Sequence, residues 1–251
     1  MTILYFTATG NCLAVAKRIG GELLSISKLV KEGRCEIADD VIGVICPTYC
    51  ADAPKMVQEY LKKAKLKADY TFWISTYGYQ AGAAVAHGEE YLKKASGHAD
   101  YVTKIIMVDT ALTRFETQKQ IDTLPKKDVE GQIARVIEDI KQRKTQIAKV
   151  SVFDKIVDKL YHTAGAAQIA DDRDKGFIET DACVKCGTCA RICPADNINV
   201  TDKVEYRHHC EGCLGCLHNC PKNAIHLKNE QSAVRFRNPE VTIRELVGAN
   251  N

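Results

Sequence analysis

The chain has 251 residues, with 35 Lys and Arg against 32 Asp and Glu and a formal net charge of +3. So small an excess does not indicate nucleic-acid binding, and no apolar run approaches the roughly 18 residues of a transmembrane helix. This length suits one large domain or two small ones.

The first segment predicts a strand, a loop and a helix in that order. Residues 2–6 are mostly apolar, residues 7–12 are polar and small, and apolar residues then recur at helical spacing from Leu13 to Leu23. Backbone N–H groups at the start of that helix, together with the hydroxyls of Thr7 and Thr9, can hold a phosphate. The loop has neither the lysine of an ATP-binding loop nor the three glycines of an NAD-binding loop, so both nucleotides are disfavoured.

The same alternation continues along the chain. Further strands are predicted at residues 41–46, 70–75 and 101–108, a weaker one at 24–27, and a helix at 83–94. Strands that alternate with helices indicate a parallel sheet covered on both faces, with ligands at the carboxyl ends of the strands. We therefore expect the chemistry in the loops 7–12, 47–53 and 76–82.

The sequence Thr7-Ala8-Thr9-Gly10-Asn11 resembles the FMN-phosphate loop of flavodoxins, and the next two loops match those that flank the flavin ring in that family. The resemblance implies an α/β fold with a doubly wound parallel sheet over residues 1–165, and a bound FMN. The residues implied to contact FMN are Thr7, Ala8, Thr9, Gly10, Asn11, Cys12, Pro47, Thr48, Tyr49, Cys50, Thr76, Tyr77, Gly78, Tyr79 and Gly82. The tyrosines suit stacking on the ring, or are ordinary loop aromatics. Cys12 and Cys50 are interpreted as packing residues, Cys50 being the better candidate for redox chemistry.

The middle of the chain carries weaker signals. Residues 109–127 lack periodicity and are predicted to form a long loop near the ligand. Apolar stripes at 133–140 and 156–160 predict two helices that cover the sheet. Basic residues between 141 and 159 are interpreted as a solvated helix face or a docking patch for an acidic partner. Residues 163–175 are the predicted linker.

Eight of the twelve cysteines form two copies of one pattern, in which gaps of two, two and three residues precede a proline. The cysteines are Cys183, Cys186, Cys189 and Cys193, and then Cys210, Cys213, Cys216 and Cys220. This spacing is typical of proteins with two cubane 4Fe-4S clusters. Zinc ribbons lack the third cysteine of each run. Disulfides need an oxidising compartment, and the N-terminal residues show no secretory signal, so a cytoplasmic location is expected.

The doubled run resembles bacterial-type ferredoxins, and the resemblance implies that the fourth cysteine of each run ligates the other cluster. One cluster would then bind Cys183, Cys186, Cys189 and Cys220, and the other Cys210, Cys213, Cys216 and Cys193. This second domain, small and α+β, would span residues 166–251. The whole chain resembles the flavodoxin-ferredoxin fusion proteins of anaerobic bacteria and archaea, including the basic, proline-containing tail at 235–242.

These motifs predict an electron-transfer protein that links one-electron cluster chemistry to FMN, because every motif implies a redox centre and none binds an organic substrate. Ferredoxin-linked oxidoreductases are the predicted partners, no catalytic residue is assigned, and the oligomeric state is not predicted. One alternative is a flavin-dependent reductase of a quinone, nitro compound or oxygen, fed by its own clusters. Another is a redox sensor or interaction module.

Overall fold

The computed structural model describes residues 1–163 and 173–251. The N-terminal elements are β1 (Thr2–Tyr5), α1 (Asn11–Ile19), β2 (Glu22–Ser25), α2 (Ile26–Glu32), β3 (Glu36–Ala38), β4 (Val41–Pro47), α3 (Lys55–Lys63), β5 (Lys65–Lys67), β6 (Tyr70–Tyr77), α4 (Ala84–Ser96), β7 (Tyr101–Ile106), α5 (Thr117–Thr123), a 3-10 helix (Leu124–Lys127), α6 (Val129–Lys141), β8 (Gln146–Ile147) and α7 (Val152–Thr163). The C-terminal elements are a 3-10 helix (Arg173–Gly176), β9 (Phe177–Glu179), α8 (Thr188–Arg191), β10 (Ile198–Val200), β11 (Val204–Tyr206), α9 (Gly215–His218), β12 (Ile225–Leu227) and α10 (Ile243–Asn250). None of the helices in these two ranges is long and apolar enough to cross a bilayer.

Six parallel strands form the central sheet in the order β2-β1-β4-β6-β7-β8. Numbered along the chain within this sheet, the first five strands follow the order 2-1-3-4-5, which is that of the flavodoxin-like doubly wound fold. The two-residue strand β8 extends one edge, and β3 and β5 form a separate parallel pair. The predicted fold class is confirmed, and the strand order reverses beside β1, where such folds bind their ligands.

Both faces of the sheet are buried, which is why its strands are nearly continuous apolar runs. In β1, Ile3 and Tyr5 join one core with α1 and α6, whereas Leu4 joins the opposite core with α2, α3 and α4. The C-terminal tail enlarges the first core, because Leu246 and Ala249 of α10 pack into it. The tail therefore folds back onto the N-terminal domain.

The C-terminal domain consists of two antiparallel strand pairs, β9 with β12 and β10 with β11, and the single-turn helices α8 and α9. Its small core is built from Ile198, Leu214, Leu217 and Ile225, and it also takes in Leu112 from the N-terminal domain. This is the predicted small α+β domain. The boundary predicted at residues 165 and 166 lies outside the described residues, as does most of the predicted linker.

Two sequence expectations about element boundaries were wrong. The first helix ends at Ile19 rather than continuing to Leu23, because Gly20 and Gly21 adopt positive φ angles of 86° and 95° that break it. Residues 109–127 are not wholly loop but contain α5 and a 3-10 helix. Of the residues in α5, Thr117 alone is buried, so the helix leaves almost no apolar periodicity to detect.

Helix α7 was predicted to cover the sheet, but it does not. Its apolar stripe points away from the protein, with Val152 76%, Phe153 66%, Ile156 53% and Leu160 61% exposed. The helix follows β8, the two-residue strand at the edge of the central sheet. Its opposite side, with Val157 and Tyr161, instead borders the cavity described below.

Replacing an isoleucine with alanine in α6 and in α7 tests this difference in burial. Ile133 in α6 is 4% exposed and Ile156 in α7 is 53% exposed. We expect Ile133→Ala to lower the free energy of unfolding by about 2–5 kcal/mol, whereas Ile156→Ala changes it by less than about 0.5 kcal/mol. Guanidinium unfolding followed by circular dichroism gives both values, and equal losses would mean that the α7 stripe is covered.

Candidate functional site

A cavity of about 620 Å³ opens at the carboxyl ends of β1, β4, β6 and β7. Its wall contains every residue predicted to contact FMN except Gly10. The three predicted loops therefore converge on one space, as parallel strands require. The volume lies within the range of roughly 300–1,000 Å³ that is usual for cofactor sites.

The phosphate-loop candidate has the geometry of an anion site at the start of α1. Gly10 precedes the helix with a φ of 97°, and its N–H donates to the Thr7 hydroxyl over 3.2 Å. Its positive φ and the tail behind it both require glycine, since a Cβ would lie 3.0 Å from the Cβ of Val241. Gly10 thus shapes the loop from outside the cavity, while Thr7 and Thr9 line it.

An unsatisfied polar atom in the wall fits the hypothesis of a polar ligand. The hydroxyl oxygen of Thr48 is buried, has no hydrogen-bond partner among the described residues and lies in a residue that lines the cavity. Such a group costs free energy unless a ligand or water satisfies it. The donor loop, this hydroxyl and the aromatic side chains together suit a mononucleotide with a planar ring.

The three predicted stacking tyrosines have different surroundings. Tyr79 is 71% exposed at the rim and packs against Phe115 with ring centroids 5.4 Å apart. Tyr77 has the ammonium of Lys104 over its ring at 5.5 Å. Tyr49 meets Phe6 edge to face, and burial raises its pKa well above the usual value, with a further contribution from nearby Cys213. Tyr79 is therefore the aromatic side chain most free to stack on a ligand.

The two remaining predicted residues of chemical interest are cysteines. The Cys12 thiol lies 3.2 Å from the Thr76 hydroxyl, and burial raises its pKa to about 12. Cys50 is only partly buried, in a turn where it and Ala51 both adopt positive φ angles, and burial raises its pKa although Arg114 and Arg173 oppose this. Both thiols are therefore neutral at ordinary pH, which agrees with a packing role for Cys12.

The sequence interpretation missed part of the cavity wall. The loop after β7 contributes Asp109, whose pKa is raised by burial and whose carboxylate accepts from the N–H of Ala111 over 2.9 Å. Gly78 must be glycine here, because a Cβ would lie 2.2 Å from the Cβ of Asp109. The position of this loop after a parallel strand was the available signal. The wall residues of α7 and of the C-terminal domain do not follow a strand of the sheet, so this signal could not identify them.

The structure gathers four of the eight predicted cluster ligands around one small cavity of about 20 Å³. Its wall includes Cys183, Cys186, Cys189 and Cys220, which we call group one. Cys220 belongs to the second cysteine run, so this grouping joins the two repeats. It is the set that the ferredoxin resemblance implies.

The other four cysteines, Cys193, Cys210, Cys213 and Cys216, are called group two. Burial raises the pKa of both Cys213 and Cys216 well above the usual value, and the other sulfurs of group two raise them further. Cys216 is buried and the other three are partly buried. Binding of four thiolates here needs a positively charged centre to offset their repulsion, and an iron-sulfur core supplies it. Within residues 1–163 and 173–251 no three acidic, His or Cys side chains converge on a single metal ion. A cubane does not require such convergence, since each of its cysteines binds a different iron.

Backbone amides donate to several of these sulfurs. The N–H of Ala224 lies 3.3 Å from the sulfur of Cys220, that of Gly212 lies 3.3 Å from the sulfur of Cys210, and that of Asn197 lies 3.4 Å from the sulfur of Cys193. Hydrogen bonds of this kind orient the ligands and adjust the potential of a bound cluster.

The C-terminal domain packs against the N-terminal domain beside the cavity. The side-chain amide of Asn219 donates to the carbonyl of Ala8 over 3.3 Å, and the carboxylate of Glu211 accepts from the N–H of Met56 over 3.1 Å. His218 accepts from a tail amide at Nδ1, so its Nε2 carries the proton and donates to the carbonyl of Thr110 over 2.9 Å; burial lowers its pKa to about 4. Consequently Gly212, Cys213 and Leu214 form part of the cavity wall.

Comparison with known proteins supports the C-terminal assignment. Residues 177–199, which include the first cysteine run, match the family described as 4Fe-4S binding domain. A stretch of 53 residues is 40% identical to the protein named pyruvate synthase subunit PorD of Methanocaldococcus jannaschii. The match covers 20% of this chain and 60% of that relative, so the chain spans about three fifths of the relative's length.

Solved structures resemble the N-terminal part only weakly. A flavodoxin of Megasphaera elsdenii aligns with 42% of this chain and 83% of its own at 18% identity and a TM-score of 0.31. A flavodoxin from the domain Archaea aligns with 55% of this chain and 97% of its own at 16% identity and a TM-score of 0.32. At such scores the flavodoxin-like fold rests on the strand order rather than on these alignments.

Proposed function

We propose that this chain, in which a flavodoxin-like domain is fused to a 4Fe-4S ferredoxin domain, is an electron-transfer protein that holds FMN in the 620 Å³ cavity and one cubane cluster in each cysteine group. One observation carries this proposal: Cys213 of group two and its neighbour Leu214 line the same cavity as the three predicted flavin loops. A group-two cluster would therefore be separated from the flavin by very few atoms.

Bound FMN would exchange one or two electrons and each cubane one, so their combination converts between one-electron and two-electron chemistry. The chain's part is to hold the centres in a fixed arrangement. The hydrogen bonds of Asn219 and His218, and the insertion of Leu112 into the C-terminal core, join the cavity loops to the cluster domain. Electron transfer then needs no domain movement.

The partners proposed for this activity are ferredoxin-linked oxidoreductases. The relative matched by the cysteine region is, by its name, a subunit of pyruvate synthase. Its likeness to this chain supports a role in the same kind of low-potential metabolism. It identifies neither the donor nor the acceptor.

A second candidate function is the reduction of a small acceptor by the flavin. The cavity extends beyond the three loops to Arg114, Tyr161 and Arg173, and its rim carries the exposed Tyr79. Such an opening favours access of a small molecule to the ring. Steady-state turnover with a quinone or nitro compound would support this function over that of a carrier.

Stoichiometry and internal transfer test the main proposal. Anaerobically purified protein should contain about eight irons and one FMN per chain. When a one-electron donor is added, cluster absorbance and flavin absorbance should both fall, because the centres share electrons. Zinc in place of iron, or a flavin that stays oxidised while the clusters are reduced, would contradict the proposal.

A further inference from the structure

The two cysteine groups differ in their access to solvent. Cys186 of group one is exposed, whereas Cys216 of group two is buried and Cys213 faces the cavity. Group one therefore contains the exposed ligand, whereas group two contains the ligand that lines the cavity.

The surface over group one is basic with an apolar centre. It consists of Val184, Lys185, Cys186, Arg191 and Lys222, which we call the cluster-one face. Val184 is 58% exposed, and Lys185, Arg191 and Lys222 are exposed as well. The guanidinium of Arg191 is held beside Cys186 by its bond of 3.1 Å to that residue's carbonyl.

Acidic side chains in the wall of this face do not balance its positive charge. In the described parts of the chain Lys185 and Lys222 form no ion pair, and the wall of the group-one cavity contains both lysines and no acidic residue. The acidic side chain nearest in sequence, Asp181, precedes Cys183 and does not line that cavity. Lys185, Lys222 and Arg191 thus place three positive charges on the surface that contains Cys186.

We propose that the cluster-one face binds an acidic one-electron carrier protein. Complementary charge steers such a protein to the face and fixes its orientation, and Val184 supplies the small apolar contact that the partner covers. One electron then leaves the carrier's reduced centre and enters the group-one cluster, and no bond forms or breaks. A second copy of this chain fits poorly, because it would present the same positive charge.

This inference rests on the proposed cluster in group one and adds an order of transfer. Electrons from the carrier would enter a cluster held by group one, pass to a cluster held by group two and then reach the cavity. The basic middle segment of the chain is not needed for this route, although the sequence had suggested it as a docking patch. The choice of partner depends on the three positive side chains of the cluster-one face. It does not depend on the net charge of the whole chain, which is +3.

The test uses the iron-loaded full chain and a purified acidic two-cluster ferredoxin as the probe. Anaerobic titration calorimetry at low and high salt gives the dissociation constant for the wild type and for the double variant Lys185→Glu/Lys222→Glu. The matched control is Lys67→Glu/Lys94→Glu, which changes the net charge equally at two exposed lysines in β5 and α4. We expect the face variant to bind roughly tenfold more weakly at low salt and the control to remain within about twofold of the wild type.

The iron content of the chain is measured first, because it tests the proposed function separately from the docking inference. A chain without iron would refute the proposed function itself. A chain with full iron in which the face variant and the control bind the probe equally would overturn the docking inference alone. Wild-type affinity that does not change with salt would also overturn it, because charge complementarity is screened by ions.

Discussion

Replacing Cys220 with serine should remove the cluster of group one and spare that of group two, whereas Cys193→Ser should do the reverse. The reason is the grouping itself: Cys220 lies with Cys183, Cys186 and Cys189, although it belongs to the other run. Each variant should fall from about eight irons per chain to about four. Metal analysis and EPR spectroscopy of the reduced protein identify which cluster is left.

The two serine variants should also differ in how the flavin is reduced. With Cys193→Ser the cluster beside the cavity is lost, so the surface cluster still accepts electrons but passes them to FMN slowly. With Cys220→Ser the surface cluster is lost, so reduction of the protein by an external donor slows. Electrons still equilibrate between the group-two cluster and FMN. If each serine instead destroyed the cluster of its own run, the crossed arrangement would be refuted.

Local chemistry explains why much of the site could be predicted from sequence. A parallel sheet places the loops after its strands at one edge, so Thr9, Thr48 and Tyr79 could be assigned to one cavity without knowing any contact. The cysteine spacing is likewise local, since three ligands of each proposed cluster come from one short loop. Both arguments need only short stretches of chain.

The features of the fold and site that could not be predicted from the sequence depend on contacts between distant segments. The part of the cavity wall formed by Cys213 and Leu214 has no counterpart in any strand-loop rule, because it comes from the packing of one domain on another. The tail helix α10 shows an ordinary amphipathic pattern, and only the structure reveals that Leu246 joins the core of the N-terminal domain. For α7 the apolar stripe gave the wrong expectation, because periodicity reports an apolar face and not what covers it.

The contact that joins the cavity to the cluster domain could not be predicted from the sequence either. Leu112 lies in a segment predicted to be loop, yet it is fully buried in the C-terminal core. Its carbonyl also accepts from the N–H of Gln231 over 2.7 Å. The side chain and backbone of one residue thus join the loop after β7, which lines the cavity, to the cluster domain. Such a residue should affect electron transfer although it is not a ligand of either proposed cluster.

Leu112→Ala is therefore expected to loosen the cavity from the clusters. Deleting a fully buried leucine lowers the free energy of unfolding by about 2–5 kcal/mol. Leu92→Ala is the matched control, because Leu92 in α4 is also fully buried but belongs to a core of the sheet rather than to the core of the cluster domain. Both variants should lose similar stability, and both should retain iron and flavin.

The rate of transfer from cluster to flavin distinguishes the two leucines. After rapid one-electron reduction of the clusters, the absorbance of the flavin should change several-fold more slowly in Leu112→Ala than in the wild type, and at the wild-type rate in Leu92→Ala. The rate falls because the position of Cys213 against the cavity depends on the loop that Leu112 anchors, and electron transfer slows steeply as centres separate. Equal rates in the two variants would show that hydrogen bonds such as that from His218 to the carbonyl of Thr110 hold the interface without the leucine.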